Sequence, residues 1–438
     1  MNKYKKLILA FGTLLIAVTA TAQNQQTPYS RYGHGVLGDY ATSMQRNMGG
    51  VGIAMTGGRQ INVMNPASYA GIDSLTLLWD IGVDLTQIKS KETVGGVTSK
   101  GKAFGGGLDY LTLQFPISKF MGGSIGLVPY SSVGYSFGGD LNDKNGDKNG
   151  SSSFVGEGGI NELYIGVAGR LFKGFNLGAN FAYQFGTTKN DTYAYGTDGA
   201  SALFEQTMEI RDWNMSLGAQ YTMDFHQKHR VTLGATFSPK KDFHGKTWGI
   251  SYDVNQSSSS TEAPDTLAYT KLNGGYTKPN SFGAGVSYTF KNKLTVESDF
   301  TLQQWSKARY DGLKDSKGNI VSNPCTFDDR WKFATGVQYV PQTRGAYFKR
   351  VAYRCGGFFT HDYMMVPDAA GALHNVCEYG VAAGFGLPTA GTKTIINLGF
   401  EFRHRSAKSA PNLVSENYFN ITLGVNFNEF AFWQNKIK

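Results

Sequence analysis

Four oxygen-bearing side chains at every second position of one loop are the first residues here that could do chemistry. In Asp140 to Gly150, DLNDKNGDKNG, these are Asp143, Asn145, Asp147 and Asn149, with Glu157 further on. Oxygen ligands at that spacing suit Ca²⁺. The glycine and the closing glutamate fall outside EF-hand register, however, so a solvated loop is the expectation. A second set is larger. Asp80, Asp84, Glu297, Asp299 and Glu401 stand in apolar-alternating segments, as do Arg170, Arg330, Arg350, Arg354 and Arg403, and Arg46 and Arg59 lie in a glycine-rich stretch upstream. Buried charges must pair or neutralise. Their predicted role is a network that ties that stretch to a surrounding wall. The seven histidines are scattered, and neither a Ser/His/Asp order nor a nucleophile elbow is present, so neither an enzyme nor a cofactor is expected. Cys325, Cys355 and Cys377 lack metal-site spacing and leave room for one Cys325–Cys377 disulfide at a rim.

The elements that would position these charges are strands. Leu75, Leu77, Trp79, Ile81, Val83 and Leu85 alternate with Thr76, Asp80, Gly82, Asp84 and Thr86, a period of two that gives a strand two different faces. Fourteen such segments are predicted, at 75–88, 103–115, 121–137, 160–172, 174–188, 203–223, 230–252, 267–290, 293–306, 329–340, 348–362, 376–388, 393–405 and 416–430. The breaks between them alternate between short and long. An even strand number with tight turns at one end and long loops at the other is the signature of an outer-membrane barrel. Closure follows from the solvent, because a strand edge facing lipid would leave its amides unpaired. Tyr29, Tyr32, Trp213, Trp248, Trp305, Tyr418 and Phe419 are expected to form interfacial girdles.

Residues 23–74 precede the first strand. Within them Met44 to Tyr69, MQRNMGGVGIAMTGGRQINVMNPASY, is too short and too rich in glycine for a domain, yet its apolar residues need burial. The predicted fold is an all-β, 14-stranded antiparallel transmembrane barrel over 75–430 with this stretch as a plug in its lumen. Residues 1–22 read as a secretory signal: Lys3, Lys5 and Lys6, an apolar run from Leu7 to Val18, then Ala20-Thr21-Ala22. Without them 39 Lys and Arg stand against 33 acids, a net +6, too modest an excess to indicate nucleic-acid binding. The expected location is the outer membrane, in contact with its lipid, with both termini periplasmic and 431–438 as a polar, basic tail.

Asn47-Met48-Gly49-Gly50-Val51-Gly52-Ile53-Ala54, followed by Asn65-Pro66-Ala67, resembles the glycine-rich hatch and NPA motif of the FadL family of outer-membrane transporters of hydrophobic compounds. Thr27 to Gly33 and the ENYF opening of the last strand resemble its Bacteroidota branch. The resemblance implies a fatty-acid-like ligand entering from outside, a hatch that shifts, and a lateral exit at a kink in the third strand. Pro129, with Gly126 and Gly134, is the candidate for that kink, since proline removes a ladder donor. Arg59 is a candidate for the ligand carboxylate. The alternative is a FadL-like barrel without transport, a structural or accessory subunit of an outer-membrane protein assembly for insertion or secretion. Polar outer loops (Asp140 to Ser153, Asp253 to Asp265) and the basic tail favour that alternative.

Overall fold

In a computed structural model, the protein is described over residues 27–430 except 57–58, 95, 143–147, 198–200, 227, 254–264, 315–324, 369, 390–392 and 411. The signal-like residues, the tail, and Asp143, Asn145 and Asp147 of the calcium candidate lie outside these. Asn149 is within them, and its main-chain oxygen accepts from Thr197 N at 3.2 Å.

Fourteen strands form one closed antiparallel sheet: β1 (Thr76–Val94), β2 (Val97–Ser118), β3 (Met121–Asn142), β4 (Lys148–Phe172), β5 (Phe175–Gly196), β6 (Ser201–Phe225), β7 (His229–Ser238, resumed at Gly245–Asp253), β8 (Asp265–Asn273, resumed at Ser281–Phe290), β9 (Leu294–Gln303), β10 (Arg330–Tyr339), β11 (Ala352–Pro367), β12 (Leu373–Pro388), β13 (Ile395–Ala407) and β14 (Ser415–Phe430). Each pairs with its neighbour in sequence, and β14 returns to β1 from Phe430↔Thr76 to Ser415↔Lys91. This last ladder closes the ring and removes the sheet edges. The faces follow the alternation. Phe400, Phe402, Phe333, Ile165, Phe181 and Val286 point outward and are exposed, whereas Asn397, Asp299, Arg405 and Glu378 point inward and are buried. Among the described residues no helix is long and apolar enough to cross a membrane.

All fourteen predicted segments are strands, but three supposed loops are not loops. Residues 89–102, 138–159 and 189–202 are largely the prolonged ends of β1 to β6, paired as far as Val94↔Val97, Asn142↔Lys148 and Tyr195↔Ser201. Beyond the bilayer both faces of a hairpin meet water, so its alternation vanishes while its backbone pairing does not. β7 and β8 break at 239–244 and 274–280, and their outer halves form a hairpin that continues on β6 alone.

The chain 27–72 runs along the inside of the ring. Thr27 N donates to Gly134 O at 2.7 Å, far along β3 from the short-turn end, and the Tyr29 hydroxyl donates to Val414 O in the long β13–β14 loop. The described N-terminal end therefore lies toward the long loops, while β14 ends at the short turns. The expectation that both termini are periplasmic concerns residues outside the described ones; within them, β1 must start at the short turns, so the residues before it run down the bore. Tyr29, Trp305 and Tyr418 are accordingly buried rather than interfacial, whereas Trp213 and Phe419 do face outward.

Candidate functional site

The glycines of the predicted hatch serve its fit. Gly49 and Gly50 adopt φ of 76° and 79°, turning the chain after a helical turn at Ser43–Arg46. That turn is capped by Gln45, whose Oε1 accepts from Thr42 N at 2.8 Å. Its Nε2 donates to Asn62 Oδ1 at 2.7 Å, and Asn62 Nδ2 donates to Gly52 O at 2.6 Å, so the stretch is knitted to itself. Asn65 and Pro66 open a short 3-10 turn, with Asn65 Oδ1 accepting from Ala67 N at 3.0 Å.

The wall meets this stretch with glycines of its own. Met48 lies on Gly336 of β10 and Gly356 of β11, Asn47 on Gly384 of β12 and Gly399 of β13, Ile53 on Gly234 of β7 and Gly285 of β8, Asn65 on Gly218 of β6, Pro66 on Gly178 of β5, and Tyr69 on Gly122 of β3. These contacts run round most of the circumference. Where β9 passes, carboxylates take over: Asp299 Oδ2 accepts from Gly52 N at 2.6 Å and Ile53 N at 2.8 Å, and Glu297 Oε1 from Ala54 N at 3.0 Å. Asn47 Nδ2 donates to Leu398 O at 3.1 Å, and Asn65 Nδ2 to Ile53 O at 2.7 Å. Near the seam the Tyr110 hydroxyl accepts from Ser43 N at 3.0 Å and donates to Asp80 at 2.9 Å.

On the long-loop side of this seat is a chamber of about 470 Å³ lined by Asp39, Arg46, Asp84, Asp109, Arg330, Lys332, Asp362, Glu378, Glu401, Arg403 and Arg405 among others. Its charges are largely matched. Arg46 meets Asp109 at 2.7 Å, Lys332 meets Asp39 at 2.9 Å, Arg405 meets Glu378 at 2.5 Å and Arg403 meets Glu401 at 3.0 Å. Asp39, on the lumenal chain, is half-buried; against the cost of that burial, Lys332 and Arg46 hold its carboxyl below the usual range.

The chamber reaches the wall at one discontinuity. β2 and β3 pair from Ser118↔Met121 up to Leu111↔Leu127, and among the described residues no pairing joins them beyond it. β2 continues on β1 alone. β3 continues on β4, with a one-residue slip between Pro129 and Ser131, and its other edge takes Val36 and Leu37 of the lumenal chain. Gly106, Gly107, Asp109, Pro129 and Ser131 border both the discontinuity and the chamber.

A family model described as BamG matches residues 3–438. The chain belongs to the BamG family. Its barrel is similar to a Pseudomonas aeruginosa FadL homologue (TM-score 0.62, 13% identity, covering 90% of this chain and 99% of that one). It is also similar to the toluene transporters TodX of Pseudomonas putida (0.59, 15%, 94% and 100%) and TbuX of Ralstonia pickettii (0.58, 15%, 89% and 98%). At such identities the likeness is one of fold. A comparison with curated protein sequences gives no match. Fold and family together fit an outer-membrane location.

In this BamG-family barrel the predicted site residues separate into groups. Asn47, Met48, Gly49, Gly50, Gly52, Asn65, Pro66 and Ala67 sit together at the seat, with Asp80, Glu297 and Asp299 against or beside it. Arg46, Asp84, Glu401 and Arg403 line the chamber. Arg354 bridges Gln338 and Asn397, each at 2.7 Å. Arg59 and Arg170 are exposed, and among the described residues neither forms an ion pair; Arg350 lies in the β10–β11 turn, outside the network. All three cysteines are free, so the Cys325–Cys377 bridge is not made. Cys325 Sγ instead accepts from Gly33 N at 3.2 Å. Asp39, Asp109, Lys332, Glu378 and Arg405 were missed, although the last three occupy inward positions in segments already read as alternating. His34 was passed over as one of seven scattered histidines. It is enclosed by Phe243, Tyr276, Trp305 and Tyr310 with ring centroids 5.5–5.9 Å away.

Proposed function

We propose that this BamG-family barrel is a structural or accessory subunit of an outer-membrane protein assembly, with its short turns facing the periplasm. The observation that carries the reading is the seat. The lumenal stretch touches the wall through main-chain atoms and glycines on most strands, and its free amides are held by buried carboxylates, so a shift of the stretch breaks many contacts at once. The chamber beside it supports the same reading, because paired charges dominate its lining and only Val36, Leu37, Leu108, Pro129 and Phe358 add larger apolar groups, a poor host for an apolar ligand. Family membership points the same way. Gentle extraction followed by native mass spectrometry tests it: a stoichiometric partner chain on a ligand-free barrel is expected, and a monomer retaining a fatty-acid-sized ligand would refute it.

A second reading, inward passage of small hydrophobic molecules, is favoured by the β2–β3 discontinuity. There a fatty-acid-like ligand would leave sideways past Pro129, with Gly126 below it and Gly134 above, and a chamber arginine such as Arg46 would meet its carboxylate. Uptake of a labelled fatty acid into proteoliposomes, abolished by crosslinking β2 to β3, would support that route. Equal uptake with and without the crosslink would remove it.

A further inference from the structure

Charge is distributed unevenly between the two ends of the barrel. The short turns and adjoining strand ends (72–75, 116–121, 170–175, 224–230, 290–294, 340–351, 388–394 and 429–430) hold 11 Lys and Arg against three acids, Asp73, Asp224 and Glu429. Their net +8 exceeds the +6 of residues 23–438 as a whole, so the rest of the protein is slightly acidic. Long-loop segments mix signs, as in Asp140, Asp143, Lys144, Asp147 and Lys148.

We infer that the short-turn rim is a collar that binds anionic phospholipid headgroups. Three observations select lipid over a protein partner. The cations are spread round the ring, with Lys119, Lys173, Lys228 and Lys291 each exposed in a different turn, whereas a docking partner would gather them on one side. Most of these turns are too short to project from the bilayer, so the ammonium groups are held at headgroup depth. Exposed rings accompany them on the outward face, including Phe120, Phe225 and Phe172, the last stacked on Phe175 at 4.9 Å; aromatic side chains settle at the boundary between acyl chains and headgroups. The richest point is the β10–β11 turn. Its helical turn Tyr347–Arg350 presents Phe348, 74% exposed, beside Lys349, with Arg344 just before it and Arg350 at its end. Asp73 and Glu429 interrupt the collar at the β14–β1 seam, where lipid binding is weakest.

The test uses the full-length barrel in vesicles of phosphatidylcholine, with spin-labelled phosphatidylglycerol or phosphatidylcholine as the probe. The motionally restricted fraction is expected to favour phosphatidylglycerol by about threefold, and the preference should fall as salt is raised. Replacing Lys119, Lys173, Lys291, Arg344, Lys349 and Arg350 together by Gln should bring the ratio to about one, while Lys100→Gln with Lys102→Gln at the other end leaves it unchanged. All of these sites are on the surface, and heat-modifiable gel migration checks that each variant is folded. No preference in the wild type, or a preference that survives the six rim substitutions, overturns the inference. So does an acidic protein that binds through these residues while the lipid ratio stays at one, which would assign the collar to a protein partner.

Discussion

Replacing Gly178 and Gly356 together by alanine should unseat the lumenal stretch while leaving the barrel intact. Neither glycine has a positive φ, so alanine suits both backbones. A methyl group at Gly178 would stand 2.5 Å from the main-chain carbon of Pro66 and 2.7 Å from Ala67 N; one at Gly356 would stand 2.6 Å from Gly49 N. Ordinary contact begins near 3.4 Å, so the stretch must retreat by about 1 Å at each point. β5 and β11 lie almost opposite each other in the ring, and a retreat from one drives it toward the other. Overpacking costs roughly 1–3 kcal/mol per site. Separating Gly52 and Ile53 from Asp299 strands buried donors at roughly 1–3 kcal/mol each. A total of about 4–12 kcal/mol is enough to populate an unseated state. Hydrogen exchange should show lost protection over 44–56 with the strands still protected, and planar-bilayer recordings should show new conductance. Wild-type protection and a silent bilayer would refute the claim that these glycines form the seat.

Three further outcomes follow. His34 lies on the lumenal chain, and full burial among aromatic rings pushes its pKa down to about 4. Unfolded, it titrates near 6.5. The unfolded state thus binds the extra proton first, and the contribution of this site falls by about 3 kcal/mol as pH drops from roughly 6.5 to 4; exchange at 27–38 should rise over that window, and in His34→Leu it should not. Arg46→Gln leaves Asp109 enclosed without its cation and should cost roughly 3–5 kcal/mol in urea unfolding, with partial recovery in Arg46→Gln/Asp109→Asn. Tyr110→Phe removes the hydroxyl between Ser43 and Asp80 and should cost about 1–2 kcal/mol, read as faster proteolysis near residue 43.

The barrel was legible because lipid on one side and a polar lumen on the other write a period of two into every crossing strand. Thus Phe400 and Phe402 against Asn397 and Gly399 gave β13 its faces directly. Where that contrast ends the signal ends, and the prolonged hairpins above the bilayer passed for loops. The seat was half visible. Its glycines and Asn65-Pro66 marked the lumenal stretch, but the wall glycines that receive it, such as Gly218 and Gly399, look in sequence like any small inward residue. The chamber was least legible, since Asp39 and Lys332 are 293 residues apart and only the folded ring brings them together.

The path of residues 27–72 has a bearing on how the barrel is made. The strands that meet at the seam both lean on it: Gly424 of β14 packs on Ser43, and Asn426 of the same strand donates to Asp80 of β1 at 3.2 Å across 346 residues of chain. Docking the segment after closure would require some forty residues to be pushed lengthwise through a filled bore. Docking it first lets each new strand lie down against a surface already shaped to receive it. On that route a segment synthesised before any of the strands acts as a mandrel, and the long-range ladder between β14 and β1, the most expensive in loop entropy, forms last on ends already held side by side.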